Sequence, residues 1–315
     1  MFGNLTFSFI GGTGNLGSAM IRGLIRAGVS PNQIVVSNRS LEKLKPFMKE
    51  LGVLSAQTNS DAVLRADVVF IAVKPQFLEG ICKEIGLITQ RRRPLVISLV
   101  GVINLADILK SLGGNTLGLV RVMTNTPAEY CKGTTAMFAN AYLEPPQKIL
   151  AESIFNVVGS AFWVDNEETL NTLTAPVGCA PAYVFLFLEA LQKEAVMQGV
   201  PDALSAKFAL TLVLGAIGLA KQSGDSFSKL REKATTPVQV EWEAAYVFQF
   251  LESLQDATMS RGISEGLAAL VVLNTVLGAV ELANQSSDSF SILREKVTTP
   301  GGVTEYSLTK MRDKT

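Results

Sequence analysis

The stretch FIGGTGNLGSAM, residues 9–20, decides how the N-terminal half of this chain is interpreted. It joins a short apolar run to a helical pattern, and its glycines at 12, 14 and 17 have the spacing G-x-G-x-x-G. Such glycines allow a tight turn, close approach of a pyrophosphate and close packing of strand against helix, in that order. The alternative is a glycine turn with a purely structural role. We predict a dinucleotide site at the helix N-terminus, formed by Gly12, Thr13, Gly14, Asn15, Leu16 and Gly17.

The end of the second predicted strand indicates which dinucleotide binds. An acidic residue there would accept hydrogen bonds from the ribose 2′-OH of NAD, but residues 37–40 are SNRS. A carboxylate would repel a 2′-phosphate, whereas Arg39 can pair with it and Asn38 and Ser40 can donate hydrogen bonds to it. The sequence therefore favours NADPH, with NADH as the alternative cofactor, unless Arg39 merely faces solvent.

Short β-branched runs alternate with helical patterns from residue 5 to about 164. This alternation predicts an α/β, Rossmann-like domain over 1–165, in which helices cover a parallel sheet. Several runs are apolar at almost every position, as strands buried on both faces must be. The candidate strands are 5–10, 33–38, 67–73, 94–100, 117–123, 134–140 and 161–165.

The second half, 166–315, is predicted to be all helical and contains a tandem repeat. Aligning 182–237 with 245–300 at a constant offset of 63 gives 32 identities in 56 positions without a gap. Helical periodicity makes amphipathic helices look alike, but it does not produce the matching loop DSFSxLREKxTTP in both copies. We therefore interpret the region as a duplicated helical unit, with copies at about 178–240 and 241–303.

Composition excludes several classes of function. The 28 basic and 28 acidic residues cancel, so we expect neither nucleic acid nor a membrane surface as partner. No histidine is present, which removes the usual general base and the commonest metal ligand, and no metal is expected. Three cysteines fit neither a disulfide framework nor a metal motif. We expect a cytoplasmic protein with a small-molecule partner, and a buried helix at the apolar stretch 267–283.

Four motifs follow the glycine loop in order: AVKP at 72–75, RVMTNTPA at 121–128, GCAPAYVF at 178–185 and VTTPGGVT at 297–304. With them, nearly the whole chain resembles pyrroline-5-carboxylate reductase. The resemblance implies a dinucleotide-binding domain, a helical dimerisation domain and reduction of the cyclic imine pyrroline-5-carboxylate to proline with NAD(P)H. A protonated imine is already electrophilic, so this reaction suits a chain without histidine.

The resemblance also implies roles for individual residues. Thr304 and Thr299 are the candidate catalytic residues, since either hydroxyl could bond the ring nitrogen or relay a proton. Small residues leave room for backbone N–H groups to converge on a carboxylate. The implied cofactor contacts are Asn59, Val73, Lys74 and Pro75, and the implied substrate contacts are Gly178, Cys179, Ala180, Gly301, Gly302 and Asn125.

Two segments depart from the family pattern. Where the family has Ser/Thr-Gly-Ser-Gly, this chain has VGCA at 177–180, preceded by Pro176. The glycine loop is one residue longer than usual because Thr13 is extra. The chain could therefore reduce another imine, or be an impaired NADP-binding or interaction protein.

The two helical copies are complementary. The first keeps GCAPAY but has TTPVQV at 235–240, whereas the second has VEWEAAYVF at 240–248 and keeps the glycines of TTPGGVT. The family interleaves helical units from two subunits. We hypothesise that the copies here pair within one chain as a pseudo-dimer and build one composite site. A duplication that left decayed copies is the alternative, and the chain is either a homo-oligomer or a monomer.

Overall fold

The computed structural model describes residues 2–114, 116–235 and 244–312. The chain separates into two compact units, Met1–Thr174 and Ala175–Thr315, whereas the sequence analysis placed the boundary at 165. The difference is helix α7, Glu167–Thr172, which belongs to the first unit. Glu167 forms an ion pair with the buried Arg121 of the sheet, with 2.8 Å between Nη1 and Oε1.

An eight-stranded sheet forms the centre of the first unit, in the order β3-β2-β1-β4-β5-β6-β7-β8. All seven predicted strands are present, with somewhat shifted ends. The structure corrects the prediction at two points, because β7 runs antiparallel to β6 and a short exposed strand β3 joins the edge. The strands are β1 Phe7–Ile10, β2 Ile34–Ser37, β3 Leu54–Ser55, β4 Val68–Ile71, β5 Leu95–Ser98, β6 Leu119–Met123, β7 Gly133–Ala139 and β8 Gly159–Trp163.

The central strands are buried at every position, as the continuous apolar runs require. Side chains of β1 alternate between two cores, since Phe9 belongs to one hydrophobic cluster and Ile10 to another. Phe9 stacks on Phe70 of β4 with ring centroids 4.4 Å apart. The helices of this unit are α1 Asn15–Arg26, α2 Leu41–Leu51, α3 Asn59–Leu64, α4 Pro75–Arg92, α5 Leu105–Ser111, α6 Pro145–Val157 and α7.

The described part of the second unit is helical, as predicted. A π-helical turn, Thr174–Cys179, leads into the first long helix and accommodates Pro176, which an α-helix interior would not. The helices are α8 Ala180–Met197, α9 Asp202–Ser223, α10 Phe227–Ala234, α11 Ala244–Met259, α12 Glu265–Gln285, α13 Phe290–Val297 and α14 Val303–Arg312.

Within the described part of the chain, three helical segments are long and apolar enough to cross a membrane, judged by length and composition: Glu167–Met197, Asp202–Ser223 and Glu265–Gln285. Within the second unit, α9 and α12 pack against each other. The side chains of Val271, Val276 and Ala279 on α12 are fully buried, which agrees with the buried helix expected at 267–283.

Equivalent segments of the two copies have the same local structure. The hydroxyl oxygens of Ser226 and Ser289 cap α10 and α13 by accepting from the N–H of Lys229 and Ile292, each at 3.3 Å. Lys233 and Lys296, one in each copy, reach back to the aspartate before the cap. The matching loop in the sequence is therefore a matching helix cap in the structure.

The two copies pack by exchange of their short helices. Helix α13 of the second copy packs on α8 of the first, and α10 of the first packs on α11 of the second. Arg294 pairs with Glu189 at 2.5 Å and Arg231 pairs with Glu252 at 2.8 Å. The equivalent Phe187 and Phe250 also stack, with centroids 4.3 Å apart. Reciprocal contacts of this kind are those of an isologous, two-fold symmetric interface.

Candidate active site

The tight turn after β1 is made by Gly11. Its φ is +80°, and a Cβ there would lie 2.7 Å from the carbonyl oxygen of Ala72. The sequence analysis named Gly12 as the turn glycine; Gly12 does lie within the turn, which the Gly14 N–H closes by donating to the Gly11 carbonyl oxygen at 3.3 Å, but the positive φ is at Gly11. Gly12 instead packs closely, since its Cβ would lie 2.8 Å from the Cβ of Phe9. Gly17 allows close packing as predicted, because its Cβ would meet the Cα of Gly12 at 2.9 Å.

Gly14 leaves space in front of the first helix. It precedes α1 with an extended backbone, φ −73° and ψ 164°, and the nearest atom to an added Cβ is the Gly11 oxygen at 3.6 Å. The N-terminal N–H groups of a helix lack intrahelical partners and attract anions. The glycine loop therefore leaves room for a phosphate group beside the start of α1.

A pocket of about 640 Å³ lies against this loop at the carboxyl ends of β1, β2 and β4, within the size range of small-molecule sites. The predicted cofactor residues that line it are Thr13, Gly14, Asn38, Arg39, Ser40, Asn59, Val73 and Lys74. Five others do not line it: Gly12, Asn15, Leu16, Gly17 and Pro75.

One wall of the pocket was not predicted from the sequence. Helix α4 contributes Phe77, Gly80, Ile81 and Glu84, whose spacing places them on one face of a helix. This spacing is visible in the sequence, but it identifies a wall only once α4 is known to border the pocket. Lys43, in the first turn of α2, was also missed.

The end of the pocket near β2 is positively charged. Arg39 and Lys43 both line it, and within residues 2–114, 116–235 and 244–312 neither is in an ion pair with a carboxylate. The Ser40 hydroxyl oxygen caps α2 by accepting from the Lys43 N–H at 3.4 Å, and the Asn38 side chain donates to the Thr13 hydroxyl at 2.8 Å. Two uncompensated cations suit a phosphate monoester better than a ribose hydroxyl.

Asn59 lies on another side of the same pocket. Its side-chain oxygen accepts from the Ser37 hydroxyl, and its side-chain nitrogen donates to Glu84 Oε2 at 2.7 Å. These two bonds fix the orientation of the amide. A contact between Asn59 and a cofactor ribose stays a prediction.

Asn125 is buried, with only 3% of its surface exposed, and does not line this pocket. Its side-chain oxygen accepts from the N–H of Thr134 at 3.0 Å. The neighbouring hydroxyls of Thr124 and Thr135 are 2.7 Å apart. Asn125 therefore holds the turn Thr126–Tyr130 against β7, and its predicted substrate contact is not tested by this geometry.

In the second unit, the two segments expected to form the substrate site meet. Cys179 and Ala180, at the start of α8 in the first copy, are buried together with Tyr183 and Leu308. Thr304, on α14 after the second copy, lies within hydrogen-bonding reach of the Cys179 thiol, and Ser307 lies within reach of the Tyr183 hydroxyl. Tyr183, Ser307 and Leu308 were not among the predicted site residues.

Burial controls the ionisation of this junction. It raises the pKa of the Cys179 thiol, against smaller opposing effects from Thr304, Tyr183 and the charge of Arg261. Burial also raises the pKa of the Tyr183 phenol, opposed chiefly by its hydrogen bond with Ser307. Both groups are protonated at neutral pH. Because the thiolate is the reactive form of cysteine, a raised pKa disfavours a role for Cys179 as a nucleophile at neutral pH.

In the glycine loop before α14, the N–H groups of the predicted substrate contacts Gly301 and Gly302 donate hydrogen bonds within the chain. Gly301, with φ +71°, donates its N–H to Glu305 Oε2 at 2.6 Å, and Gly302 donates to the Thr299 carbonyl oxygen at 2.9 Å. Thr299 itself is exposed.

The first-turn N–H groups of Val303 and Thr304 have no partner among the described residues. Unpartnered amides at a helix N-terminus attract anions. The amides without a partner therefore lie one to three residues later in the chain than those of Gly301 and Gly302.

The equivalent tyrosine of the other copy is more exposed, since Tyr183 is 7% exposed and its counterpart Tyr246 is 50% exposed. Among the described residues, α14 follows the second copy and packs on α8 of the first. The first copy's loop, including Val238 and Gln239, lies outside the described residues. If the composite site uses only the second copy's loop, glycine at these two positions is expected to have little effect on activity.

A sheet with a glycine loop and a cationic pocket, followed in the chain by a unit whose described residues are helical, is typical of dinucleotide-dependent oxidoreductases. Comparison with known proteins agrees. A family model described as NADP oxidoreductase, coenzyme F420-dependent, matches residues 6–101. The model for pyrroline-5-carboxylate reductase dimerisation matches twice, at 167–238 and 243–315.

Curated relatives and solved structures narrow the class further. Pyrroline-5-carboxylate reductase of Vibrio alginolyticus is 33% identical over 75% of this chain and 87% of its own length, and that of Corynebacterium melassecola is 35% identical over 74% and 86%. The structure of the reductase from Coxiella burnetii is 35% identical, with a TM-score of 0.67 over 90% of this chain and 98% of that one. The chain belongs to the pyrroline-5-carboxylate reductase family.

Proposed function

We propose that this chain reduces pyrroline-5-carboxylate to proline with NADPH. The proposal rests on family membership and on one observation in particular: the buried start of α8 meets Thr304 at a helix N-terminus with unpartnered amides. The cationic pocket with Arg39 and Lys43 supports NADPH rather than NADH. We also propose a cytoplasmic location, since the three cysteines are all free and such usage is typical of reducing compartments.

The reaction requires little from the protein beyond positioning NADPH and the imine. NADPH supplies the hydride, and a protonated imine accepts it without a strong base. In this proposal the amides of Val303 and Thr304 hold the substrate carboxylate at the start of α14. The Thr304 hydroxyl, which lies 8% exposed beside Cys179, donates to or accepts from the ring nitrogen.

We propose further that one chain builds this composite site from its own two copies. The exchanged packing of α10 and α13 supports this arrangement, as does the stacking of the equivalent Phe187 and Phe250. The copies then take the places that two subunits occupy in the family. The higher exposure of Tyr246 compared with Tyr183 supports a single complete site for each chain.

A second candidate is reduction of another cyclic imine, or cofactor binding without turnover. The observation that favours it is the change at Cys179 and Ala180, which are only 4% and 2% exposed and so lie inside the junction. Turnover of NADPH with a panel of cyclic imines separates these functions. Saturable oxidation with pyrroline-5-carboxylate above all others supports the first candidate.

Replacing Thr304 by valine is expected to lower kcat about 100- to 1000-fold, a typical size for one lost catalytic hydrogen bond. The two side chains have nearly the same shape, and the serine variant T304S keeps the hydroxyl and serves as the matched control. Steady-state NADPH oxidation with pyrroline-5-carboxylate measures the effect. Equal activity of T304V and T304S would exclude a role for the hydroxyl.

A further inference from the structure

Arg39 and Phe77 form a pair across the mouth of the cofactor pocket. Arg39 follows β2, Phe77 lies in the first turn of α4, and both line the pocket. The guanidinium carbon of Arg39 lies 4.1 Å from the centroid of the Phe77 ring. This distance is well inside the range of a cation–π contact.

The pair orients a side chain that otherwise has little to hold it. No hydrogen bond or ion pair of the Arg39 guanidinium is found within the described ranges 2–114, 116–235 and 244–312. An arginine loses much rotamer freedom when it is fixed. Stacking occupies one face of the planar guanidinium and leaves its N–H donors, which lie in the plane, directed outward. A phosphate is bound through those donors.

The position of the Phe77 ring is set by helix α4 and not by a bound nucleotide. Phe77 shares its face of α4 with Gly80, Ile81 and Glu84, and its backbone N–H donates to the Lys74 carbonyl oxygen at 3.0 Å in the first turn of the helix. Phe77 is 38% exposed, so it can be replaced without emptying the core.

We infer that Phe77 is a specificity-determining positioning residue: it holds Arg39 in the orientation that binds the 2′-phosphate of NADPH. The inference rests on the proposed use of NADPH. Phe77 acts through Arg39 and has no part in hydride transfer. Its removal therefore weakens binding of 2′-phosphorylated nucleotides selectively.

The test measures dissociation constants by fluorescence or calorimetry, without substrate. Purified wild type, F77A and F77W are titrated with NADPH, NADH and the fragment adenosine 2′,5′-bisphosphate. F77A is expected to bind NADPH and the fragment about tenfold more weakly, from the loss of one cation–π contact, with NADH unchanged. F77W is expected to keep the wild-type values, because tryptophan also stacks on a guanidinium.

A double-variant cycle adds a readout that a merely structural role would not change. In an R39A background, the F77A substitution is expected to have no further effect on NADPH affinity, since the two residues act as one unit. Equal weakening of NADPH and NADH in F77A would overturn the inference, because Phe77 would then contact the adenine. Additive effects of F77A and R39A would overturn it as well.

A wrong cofactor assignment gives a different result from a wrong role of Phe77. If wild type binds NADH as tightly as NADPH, the proposed cofactor preference is wrong, and the proposed role of Phe77 is wrong as well. If wild type prefers NADPH and F77A keeps the full preference, the inference about Phe77 alone is wrong.

Discussion

Replacing Gly301 by valine is expected to lower kcat/KM at least ~100-fold while NADPH affinity stays at the wild-type value. No atom lies within 4 Å of an added Cβ at Gly301, so the effect does not come from a clash. Its φ of +71° is one that a β-branched residue rarely adopts. The loop must therefore change shape, and a shift of about 1 Å in a positioned group can cost ~100-fold in rate.

The matched control for this substitution is Gly224→Val. Gly224 ends α9 with φ +69° and likewise has open space around an added Cβ, but it is not in the loop before α14. We expect a similar loss of thermal stability in both variants, with kcat/KM retained in G224V. An equal loss of turnover in G224V would show that backbone strain in general, and not the carboxylate loop, explains the effect of G301V.

Replacing Gly14 by valine is expected to weaken NADPH binding about 100-fold or more without unfolding the protein. The backbone at Gly14, φ −73° and ψ 164°, is ordinary for valine. The new side chain would fill the space in front of α1 that the pyrophosphate needs. Unlike Gly12, Gly14 has no neighbouring side chain within 4 Å of an added Cβ.

Titration with NADPH, together with thermal unfolding, tests this prediction. An unchanged melting temperature with lost binding assigns the effect to the cofactor site. Wild-type NADPH affinity in G14V would show that the cofactor does not lie against the glycine loop.

Much of the first unit could be predicted from local pattern. Strands buried on both faces are continuous apolar runs, and all seven such runs became strands. The missed strand β3 has two exposed residues, Leu54 and Ser55, so no burial pattern marks it. The direction of β7 depends on its pairing with β6, which composition does not encode.

Residues of the cofactor pocket could be predicted where their role follows from adjacent residues in the sequence. They were missed where it depends on residues far apart in the chain. Ser40 and Arg39 could be expected at the cofactor pocket from their place after a strand, and both line it. The Arg39–Phe77 contact joins two elements far apart in the chain, and no local sequence pattern predicts it. Likewise, Gly11 and Gly12 are both glycines, and only the backbone conformation distinguishes the turn from the close contact.

The exchange between copies leaves a signal in the sequence. Glu189 and Arg294 form one cross-copy ion pair, and their counterparts Glu252 and Arg231 form the other. All four are identical at the repeat offset. Conservation of both partners in both copies is what reciprocal pairing requires, but the pairing itself is visible only in three dimensions.

Co-expression of G14V and G301V, carrying different affinity tags, tests most directly whether one chain builds its own site. G14V carries a damaged cofactor loop and G301V a damaged carboxylate loop. Material retained on both tags contains both chains. If every site is built within one chain, the mixture stays as inactive as the separate variants, or no mixed assembly is recovered. If subunits exchange their loops as in a symmetric dimer, mixed assemblies recover about a quarter to half of wild-type turnover, and the intrachain site is wrong.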